Sequence, residues 1–585
     1  MVLRMALAVA LTGTMVPLAY ARAQGAPPGP RGATVPAHAD LPLKHRPEPT
    51  TAAIDVADLM TRVYVLADDS MEGREAGHRG ATRANAYIAS ELRQLGLVPG
   101  GDHGTYFQTI PLVSRRPDPR ATLTAGKAVL SPVADYELIP RLGIQPFLGG
   151  QNFGGSFMGR DVPTVWGGRI GTGGMLDPAA ARGKVVVFLA PVDSNGRSIV
   201  NFWLRDNLQQ YSTARAVAVV EPNGSLPAFY RQARDVYDDT TRPWPQRTAF
   251  TLSTTAAERI FGVTPERLAV GAAGTPLSGN VGFVDAPTET PAQNVIAILP
   301  GSDPVLRHEY IAIGAHADHI GMAARPLDHD SVRAFNGVLR PRGVDDAQPR
   351  SVTQAQWSRI DALLDSLRRV HGARPDSINN GADDDASGTV LALELAEAFS
   401  RSGVRPARSL LFVWHTAEEK GLYGSEYFSD HSTVPRDSIV AQISLDLMGR
   451  GGPDDAPPGG NDALVVVGAR RRSTELGNLA EQVNRSAGYQ FKFDYDFDRA
   501  GDSTNAYCRN DHYMYARYGI PVAFFSAEPW HRDYHMVTDE PQYLDYDRMA
   551  KIGNYLRDFV RALADLPHRL VLDGPRPDSN ATCRQ

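Results

Sequence analysis

The segment GTVLALELAEAFSRSGVRPARSLLFVWHTAEEKG, residues 388–421, indicates the fold class. Apolar residues recur at helical spacing over Gly388–Arg401 and then run without a break over Leu410–Trp414. An amphipathic helix followed by a buried strand is the repeating unit of α/β folds. The polar turn at 416–421 follows the strand directly, which is where open α/β sheets place their functional groups.

The same alternation continues on both sides of this segment. From Asn294 onward, apolar strand-like runs alternate with helical patterns, which indicates an α/β sheet with both faces covered. Residues 322–378 interrupt the alternation as a long insertion, and Trp357–Val370 within it is predicted to be a helix. The other predicted strands are Tyr310–Gly314, Ile439–Leu445 and Pro521–Phe525.

A different pattern occupies residues 113–290. Short β-like runs, such as Val185–Leu189 and Ala216–Val220, are separated by turns rich in Gly and Pro, which predicts a β-rich inserted domain. The segment before it is helical in pattern from Ile54 to about Leu97.

The length of 585 residues exceeds what one hydrophobic core usually organises, so at least two domains are expected. We assign a discontinuous catalytic domain to 51–112 and 291–565, and a loose tail to 566–585. The net charge of −6, without any Lys/Arg block, gives no reason to expect a nucleic-acid partner.

The N-terminus is predicted to be a signal peptide over residues 1–23. Arg4 precedes a short apolar run, and small residues in Ala19–Ala23 fit a cleavage site. A membrane anchor is the alternative, but the run is too short to span a bilayer well. We therefore expect a secreted or periplasmic protein whose mature form is not in the membrane, beginning with a flexible Pro- and Gly-rich leader over 24–50.

The two cysteines, Cys508 and Cys583, leave one question open. Export permits a disulfide between them, but a separation of 75 positions does not establish one. Neither cysteine lies in a CxxC or Cys/His cluster, so zinc held by thiolates is not expected.

The first candidate motif is GAHADH at residues 314–319. His316 follows a predicted strand, and Asp318 points to the same side because side chains two apart share a face of an extended segment. Its carboxylate could then hydrogen-bond the His316 ring, as acidic partners of metal-bound histidines do. A surface loop with scattered polar residues is the alternative for this motif alone.

The second motif is NGADDDASG at residues 380–388, which leads into the predicted helix. Three successive aspartates repel one another unless they bind a cation, cap a helix or lie in solvent. A helix cap is the simplest interpretation, since carboxylates favour that end of a helix. We expect one aspartate to be a metal ligand and a neighbour to be the cap.

Three further motifs complete the set. Glu418 and Glu419 are adjacent and point in different directions, so one can bind metal while the other faces a reacting water. Asp446 closes a buried strand, which is costly unless the charge is neutralised. His535 lies in a loop after the last predicted strand, with Asp539 four residues beyond it.

Taken together, these motifs supply two histidines, three carboxylates and a spare glutamate. A site with two metals and a bridging carboxylate needs that inventory. Oxygen ligands combined with imidazole suit zinc, and manganese or cobalt could substitute for it.

The order HxD, GADDDASG, AEExGLxGS, a strand ending in LD, and YHxxxD resembles the co-catalytic zinc exopeptidases typified by bacterial leucyl aminopeptidase. The resemblance covers about 51–112 and 291–565, and the inserted 113–290 segment is similar to a protease-associated domain. It implies a mixed, mostly parallel sheet sandwiched by helices.

The resemblance also implies a role for each motif residue in a centre with two Zn²⁺ ions per chain. His316 and Asp446 would hold one ion, Glu419 and His535 the other, Asp384 would bridge them, Glu418 would be the general base, and Asp318 would orient His316. The segment Asn510–His512 resembles one that lines the pocket, with Asn510 behind the ligands.

The expected activity is removal of N-terminal residues from peptide substrates, through a water shared by the metals and Glu418 as base. A carboxypeptidase of the same family is the first alternative. It needs cationic groups for the substrate carboxylate, and Arg450, Arg499 and Arg509 are candidates. The second alternative is a glutaminyl cyclase, and the third is a non-catalytic peptide-binding protein.

Overall fold

The structure, a computed structural model, describes most of the chain from residue 41 onward. The predicted signal peptide, and the predicted leader up to residue 40, lie outside the described residues. None of the described helices has the length and apolar character needed to cross a bilayer. The described residues are 41–138, 155–171, 174–192, 209–221, 234–238, 248–346, 349, 351–451, 455, 462–502, 504–528, 530–579, 583 and 585.

A mixed sheet contains the strands predicted from residue 294 onward. Its order is β1 (Val98–Pro99), β14 (Gln293–Leu299), β18 (Ser409–His415), β15 (Tyr310–His316), β19 (Ile439–Leu445), β22 (Val522–Ser526), β20 (Ala463–Val467) and β21 (Lys492–Asp494), with β2 (Phe107–Thr109) also pairing with β14. The central strands β18, β15, β19 and β22 are parallel, whereas β14 and β20 pair antiparallel at their flanks.

Helices cover both faces of this sheet, as the α/β pattern predicts. The helices that do so are α1 (Val56–Leu66), α2 (Arg79–Gln94), α6 (Gly388–Ser400), α7 (Tyr423–Asp430), α8 (Thr474–Ser486), α9 (His512–Ala516) and α10 (Tyr546–Ala564). Of the other described helices, α3 (Thr254–Phe261) packs on strands of the 113–290 segment, and α4 (His329–Leu339) and α5 (Gln354–His371) pack on each other. Along β15, Ile311 and Ile313 pack with α1, α2, α6, α8 and α10, whereas Ala312 packs with α7 and α9 on the other face. This alternation follows from the two-residue period of a strand.

Helix α6 differs from the amphipathic helix predicted for Gly388–Arg401. Every residue from Gly388 to Phe399 is buried, including Glu394 and Glu397. The helix lies between the sheet and α1, α2 and α10, and Arg62 of α1 forms ion pairs with both glutamates. The two glutamates are therefore paired inside the protein instead of lying on a solvent-exposed face.

The helical pattern from Ile54 to Leu97 is split in two. Between α1 and α2 the chain forms a tight turn in which Glu72, Gly73 and Arg74 all have positive φ. A Cβ at Gly73 would lie 2.7 Å from the carbonyl oxygen of Asn379, so this turn requires glycine where it passes the loops of the site. Periodicity alone does not reveal such an interruption.

The residues assigned to the inserted segment are β-rich, as predicted. Their strands are β3 (Leu112–Pro117), β4 (Thr122–Ala125), β5 (Ala128–Leu130), β6 (Tyr136–Leu138), β7 (Phe157–Arg169), β8 (Val185–Leu189), β9 (Ala216–Glu221), β10 (Arg234–Tyr237), β11 (Thr248–Ser253), β12 (Ala273–Val281) and β13 (Phe283–Pro287). A three-strand set pairs in the order β10-β3-β13, and a second sheet runs β5-β4-β12-β7-β8-β9-β11-β6. The likeness to a protease-associated domain, and the separateness of this segment as a domain, stay predictions.

The insertion at 322–378 contains β16 (Met322–Asp328), α4, α5 and β17 (Pro375–Ile378), and the predicted helix at Trp357–Val370 lies within α5. Strands β16 and β17 pair with each other. The insertion packs on the loop that follows β22: Asn336 donates to the carbonyl oxygen of Arg532, and the backbone N–H of Val344 donates to that of Tyr534.

Both ends of the described chain are held more firmly than their composition suggests. Within the predicted leader, Thr50 donates to the Glu397 carboxylate at 2.8 Å, so residues 41–50 pack against the helices. In the predicted loose tail, Cys583 forms a disulfide with Cys508, and the two Cα atoms are 5.8 Å apart. The structure thus pairs the two cysteines that the sequence left open.

Candidate metal centre

The predicted site residues meet at the carboxyl ends of the central parallel strands. His316 is the last residue of β15, and Asp446 follows β19 directly. Glu419 lies in the turn after β18, and His535 lies in the loop after β22. Asp384 precedes α6, whose N-terminus faces the same edge of the sheet. This is the position at which open α/β sheets place ligands.

Asp384 lies between two pairs of side chains. Its Oδ1 is 3.1 Å from His316 Nε2, which is also 3.5 Å from Asp446 Oδ1. Its Oδ2 is 2.8 Å from His535 Nε2, which is also 3.1 Å from Glu419 Oε2. We call His316 and Asp446 the first side of the centre, and the residues around Glu419 and His535 the second side.

The second side contains a further histidine that the sequence analysis did not select. His319 Nδ1 lies 2.8 Å from Glu419 Oε1 and 3.8 Å from Asp384 Oδ2. Its ring meets that of His535 edge to face, with ring centroids 5.5 Å apart. The sequence shows only that His319 comes three residues after His316 in the same motif. That spacing does not predict that its side chain points toward the site.

Several polar atoms of the centre are buried and lack hydrogen-bond partners among the described residues. They are Asp384 Oδ2, Glu419 Oε1, Asp446 Oδ1 and both ring nitrogens of His319 and His535. Leaving such atoms buried and unpaired costs about 1–3 kcal/mol each, and more when they are charged. Cations held between these atoms would remove the cost, so the donor set fits bound metal.

The pKa values of the carboxyl groups point the same way. Burial raises the pKa of Asp446 to about 6 and that of Asp318 to about 7. Burial, with the nearby charges of Glu419, Asp511 and Asp446, raises the pKa of Glu418 well above its usual range. The centre therefore holds more negative charge than its own side chains neutralise. Divalent cations would reverse these shifts, and the nitrogen and oxygen donors suit zinc.

Asp318 orients His316 differently from the prediction. The Nδ1 atom of His316 lies 3.0 Å from the backbone carbonyl oxygen of Asp318, while the Asp318 carboxylate is 3.8 Å away. That carboxylate instead accepts a hydrogen bond from the backbone N–H of Glu418 at 3.1 Å. A backbone carbonyl therefore contacts the ring, and the side chain of Asp318 holds the neighbouring turn instead.

The three aspartates of the second motif have separate tasks. Asp385 accepts hydrogen bonds from the backbone N–H groups of Gly388 and His316, at 2.9 and 3.0 Å, and so caps α6. Asp383 accepts from the backbone N–H of Gly449 at 2.6 Å. Only Asp384 faces the histidines of both sides, so the structure has the expected division between a candidate ligand and a cap.

Two other predicted neighbours support the centre. Asp539 accepts from the backbone N–H of Asp384 at 3.1 Å, which orients the central aspartate. Asn510 donates to Asp446 Oδ2 at 2.6 Å and accepts from Ser444 at 2.9 Å. Each contact holds a candidate ligand, or its backbone, in one orientation.

Arg74 also supports the centre, and the sequence offered no signal for it. Its buried guanidinium donates to the carbonyl oxygens of Ala317 at 3.1 Å, Asn380 at 2.6 Å and Gly381 at 2.8 Å. It thereby connects the loop after His316 to the loop before Asp384. Its charge attracts the carboxylates of Asp385, Asp384 and Asp539 and so offsets part of their mutual repulsion.

The three arginines considered for carboxylate binding have different surroundings. Arg450 is buried and forms ion pairs with Asp533 at 2.9 Å and Asp539 at 3.5 Å. The side chain of Arg499 is 71% exposed, next to Asp496. Arg509 lies over the ring of Trp530 and is 3.9 Å from the carboxylate of Asp345, in the insertion.

Residues 294–560 match the sequence profile of peptidase family M28. We call residues 294–560, the part of the chain that is similar to this family, the M28 segment. Every residue on the two sides of Asp384, including His319, lies within the M28 segment, whereas Arg74 lies outside it.

The curated relatives match over part of their length. Leucine aminopeptidase 1 of Aspergillus clavatus is 29% identical over 216 residues, which are 34% of this chain and 53% of that protein. Leucine aminopeptidase 1 of Coccidioides posadasii strain C735 is 31% identical over 212 residues, or 33% of this chain and 52% of that protein. The chain spans about half the length of these relatives.

Two solved structures are also similar. An aminopeptidase from Aneurinibacillus sp. strain AM-1 is 17% identical, with 90% of this chain and 97% of that chain covered and a TM-score of 0.45. A zinc aminopeptidase from Bacillus subtilis is 15% identical, with 87% of this chain and 95% of that chain covered and a TM-score of 0.44.

Proposed function

We propose that this protein is a zinc-dependent aminopeptidase that acts on peptides. The observation that carries the proposal is the position of Asp384 between two histidine–carboxylate pairs whose buried atoms lack other partners among the described residues. The curated relatives, named leucine aminopeptidases, favour this activity within the M28 family.

The ligands proposed for two zinc ions are His316 and Asp446 on the first side, Glu419 and His535 on the second, and Asp384 between them. When bound, two zinc ions would supply Lewis acidity toward the scissile carbonyl and lower the pKa of a nearby water. This chemistry requires the ligands to be deprotonated, which a cation favours.

Glu418 is the proposed general base. Asp318 accepts a hydrogen bond from the backbone N–H of Glu418, so the Glu418 carboxylate projects from a fixed turn next to Glu419. Enclosure and neighbouring carboxylates raise its pKa, which makes the ionised form a stronger proton acceptor. Glu418 takes a proton from the attacking water and transfers it to the leaving amine, which departs poorly unless protonated.

The choice between an aminopeptidase and a carboxypeptidase depends on cationic groups. Arg450 is buried in ion pairs with aspartates, so it is committed to holding the loop of His535. Arg509 lies near Asp345 and Trp530, next in sequence to Asn510, which contacts Asp446. A carboxypeptidase would therefore depend on Arg509, and Arg509→Leu tests that dependence.

Export is part of the proposal. The signal-peptide pattern of residues 1–23 and the disulfide between Cys508 and Cys583 both suit an oxidising compartment. Expression with the native N-terminus, followed by N-terminal sequencing of protein from the periplasm and the medium, tests it. Full-length protein retained in the cytoplasm would contradict export.

The decisive experiment is hydrolysis of matched peptides by zinc-loaded mature protein. Each peptide is supplied with a free or an acetylated N-terminus and with a free or an amidated C-terminus. Release of the N-terminal residue from free-amine peptides only, lost on chelation and restored by zinc, is expected. Release of C-terminal residues, sensitive to Arg509→Leu, would identify a carboxypeptidase, and no cleavage would contradict both activities.

A further inference from the structure

His319 is a buried side chain without a role in the proposed reaction. It is 1% exposed, and neither ring nitrogen has a hydrogen-bond partner among the described residues. A neutral imidazole carries one N–H donor and one acceptor, and burying both unpaired is unfavourable. A histidine that only filled space in the core would be expected to pair at least one of these atoms.

The ring is held in place by its surroundings. The backbone N–H of His319 donates to the carbonyl oxygen of Arg74 at 3.1 Å. On the other side, a Cβ at Gly381 would lie 2.6 Å from the His319 ring, so the glycine leaves room for the imidazole. The backbone of His319 and one side of its ring are therefore both held in place, and Nδ1 lies 2.8 Å from Glu419 Oε1.

The contact between His319 and Glu419 is short but is not aligned as a hydrogen bond. His319 Nδ1 and Glu419 Oε1 are 2.8 Å apart, yet both atoms lack a hydrogen-bond partner among the described residues. The same is true of Asp384 Oδ2 and of His535 Nε2, which approach each other to 2.8 Å. Close approach without alignment is expected when donor atoms converge on a common cation.

We propose that His319 Nδ1 is a ligand of the cation on the second side of the centre. One donor atom from each of His319, Asp384, Glu419 and His535 lies within 4.8 Å of the others. The corresponding group on the first side consists of His316, Asp384 and Asp446. This inference rests on the proposed metal centre and adds a third imidazole to it.

The extra ligand makes the two sides unequal. Zinc in proteins is usually tetrahedral, and sites with four protein ligands are closed, whereas sites with three keep a position for water or substrate. The second side is therefore the tighter and less exchangeable site. The first side, held by His316, Asp384 and Asp446, would leave room for water or substrate beside its cation.

The test counts imidazole ligands in the mature protein loaded with cobalt(II). Wild type is expected to show three paramagnetically shifted, exchangeable imidazole proton signals, and His319→Ala two. In competition with a chelator, the zinc affinity of the second side should fall in His319→Ala. The fall should exceed the roughly 10–100-fold loss that is typical when a residue behind the ligands is removed. The other site should change little.

His329→Gln is the matched control, because it alters another buried histidine, in α4 of the insertion, whose ring lies 3.3 Å from Asp330 and stacks on Tyr543. It should keep all three signals and both zinc affinities. Melting temperatures of the metal-free proteins identify a variant that is merely misfolded. His319→Gln serves as the second variant if His319→Ala does not fold.

Two signals in wild type, with zinc affinities unchanged in the folded His319 variants, would overturn the proposal and leave His319 as a neighbour of Glu419. Failure of the proposed function has a different signature. Wild type that binds two zinc ions with three imidazoles but cleaves no peptide would support the ligand while contradicting the peptidase. Wild type that binds no cation would overturn both.

Discussion

The two sides of Asp384 are built from different parts of the fold. On the first side, His316 belongs to β15 and Asp446 directly follows β19, two adjacent parallel strands. On the second side, His319, Glu419 and His535 all lie in loops beyond the strand ends. His535 has a φ of 54°, which is uncommon for a residue other than glycine.

This difference shows what each side needs in order to form. The sheet positions the first side, and a register of hydrogen-bonded strands leaves it little freedom. The second side depends on partners from elsewhere in the chain. Lys420, next to Glu419, pairs with Glu75 at 2.7 Å and with Asp235 at 3.1 Å, and neither partner lies in the M28 segment.

The largest effect is expected where the two sides meet. Asp384→Asn removes the only side chain that approaches the histidines of both sides within the described residues, so both zinc sites and all measurable peptidase activity should be lost. Zinc per chain after dialysis is the measurement. Asp383→Asn is the control, since Asp383 binds the backbone of Gly449. Full zinc content in Asp384→Asn would contradict its bridging position.

Substitution of Glu418 should lower the rate of hydrolysis without changing zinc binding on either side. Glu418→Gln removes the proton acceptor and is expected to lower kcat by ~10²–10⁴-fold. Zinc content and both zinc affinities should stay close to wild type, because the amide preserves the shape of the side chain. Steady-state kinetics together with metal analysis measure the two properties. A rate near that of wild type would exclude Glu418 as the base.

Arg74→Met should affect the second side more than the first. The substitution leaves the carbonyl oxygens of Ala317, Asn380 and Gly381 without their donor, at a cost of about 1–3 kcal/mol for each buried acceptor left unpaired. The loop of His319 should loosen, whereas Asp446, which follows β19, accepts no hydrogen bond from Arg74 among the described contacts. Urea unfolding and zinc competition measure both effects. Equal losses of zinc affinity on the two sides would contradict the view that the second side depends more on distant segments of the chain.

The reverse selectivity is expected for Asn510→Ala. Asn510 donates to Asp446 Oδ2, so its loss should weaken zinc on the first side by ~10–100-fold and leave the second side unchanged. Chelator competition, monitored on both sites, measures this. Asn478→Ala, in α8, serves as a control for loss of an amide. Weaker zinc binding on the second side instead would contradict the assignment of Asp446 to the first side.

The smallest effect is expected at His78, whose partner Asp235 also pairs with Lys420. There we expect the free energy of unfolding to depend on pH. His78 Nε2 lies 3.2 Å from Asp235 Oδ2, and this hydrogen bond raises the pKa of His78, with Glu75 adding to the rise and burial and Lys420 opposing it. Protonated His78 thus stabilises the folded state. Its contribution is present below about pH 6.5, the ordinary histidine pKa, and is lost as pH rises through the raised folded value.

Glu289 also faces His78, at 3.2 Å from Nδ1, and the His78 side chain is 39% exposed, so the effect is expected to be modest. The measurement is the difference in the free energy of unfolding between wild type and His78→Gln across pH 5–9. That difference should shrink as pH rises. A difference independent of pH would contradict this role for His78.

The prediction succeeded where a local pattern carries the information. An apolar run ending in a polar residue identified the strand ends, and thus the placement of His316, Glu418, Glu419 and Asp446 at one edge of the sheet. The run of three aspartates before a helix predicted the division between a candidate ligand and a cap. The pairing of Cys508 with Cys583 could not be decided, because separation along the chain does not determine distance in the fold.

Chain order and periodicity were enough to predict the α/β class and the β-rich segment, and the motifs at the strand ends selected His316, Glu419, Asp446 and His535. The central place of Asp384 among the three aspartates was implied by the resemblance to the zinc exopeptidases. Tertiary structure alone decided the burial of α6, the contact of Arg74 with Ala317 across 243 positions, and the approach of His319 to Glu419. The reason is physical. Periodicity reports which face of an element is apolar, whereas hydrogen bonds and ion pairs between distant segments depend on how those elements pack together in three dimensions.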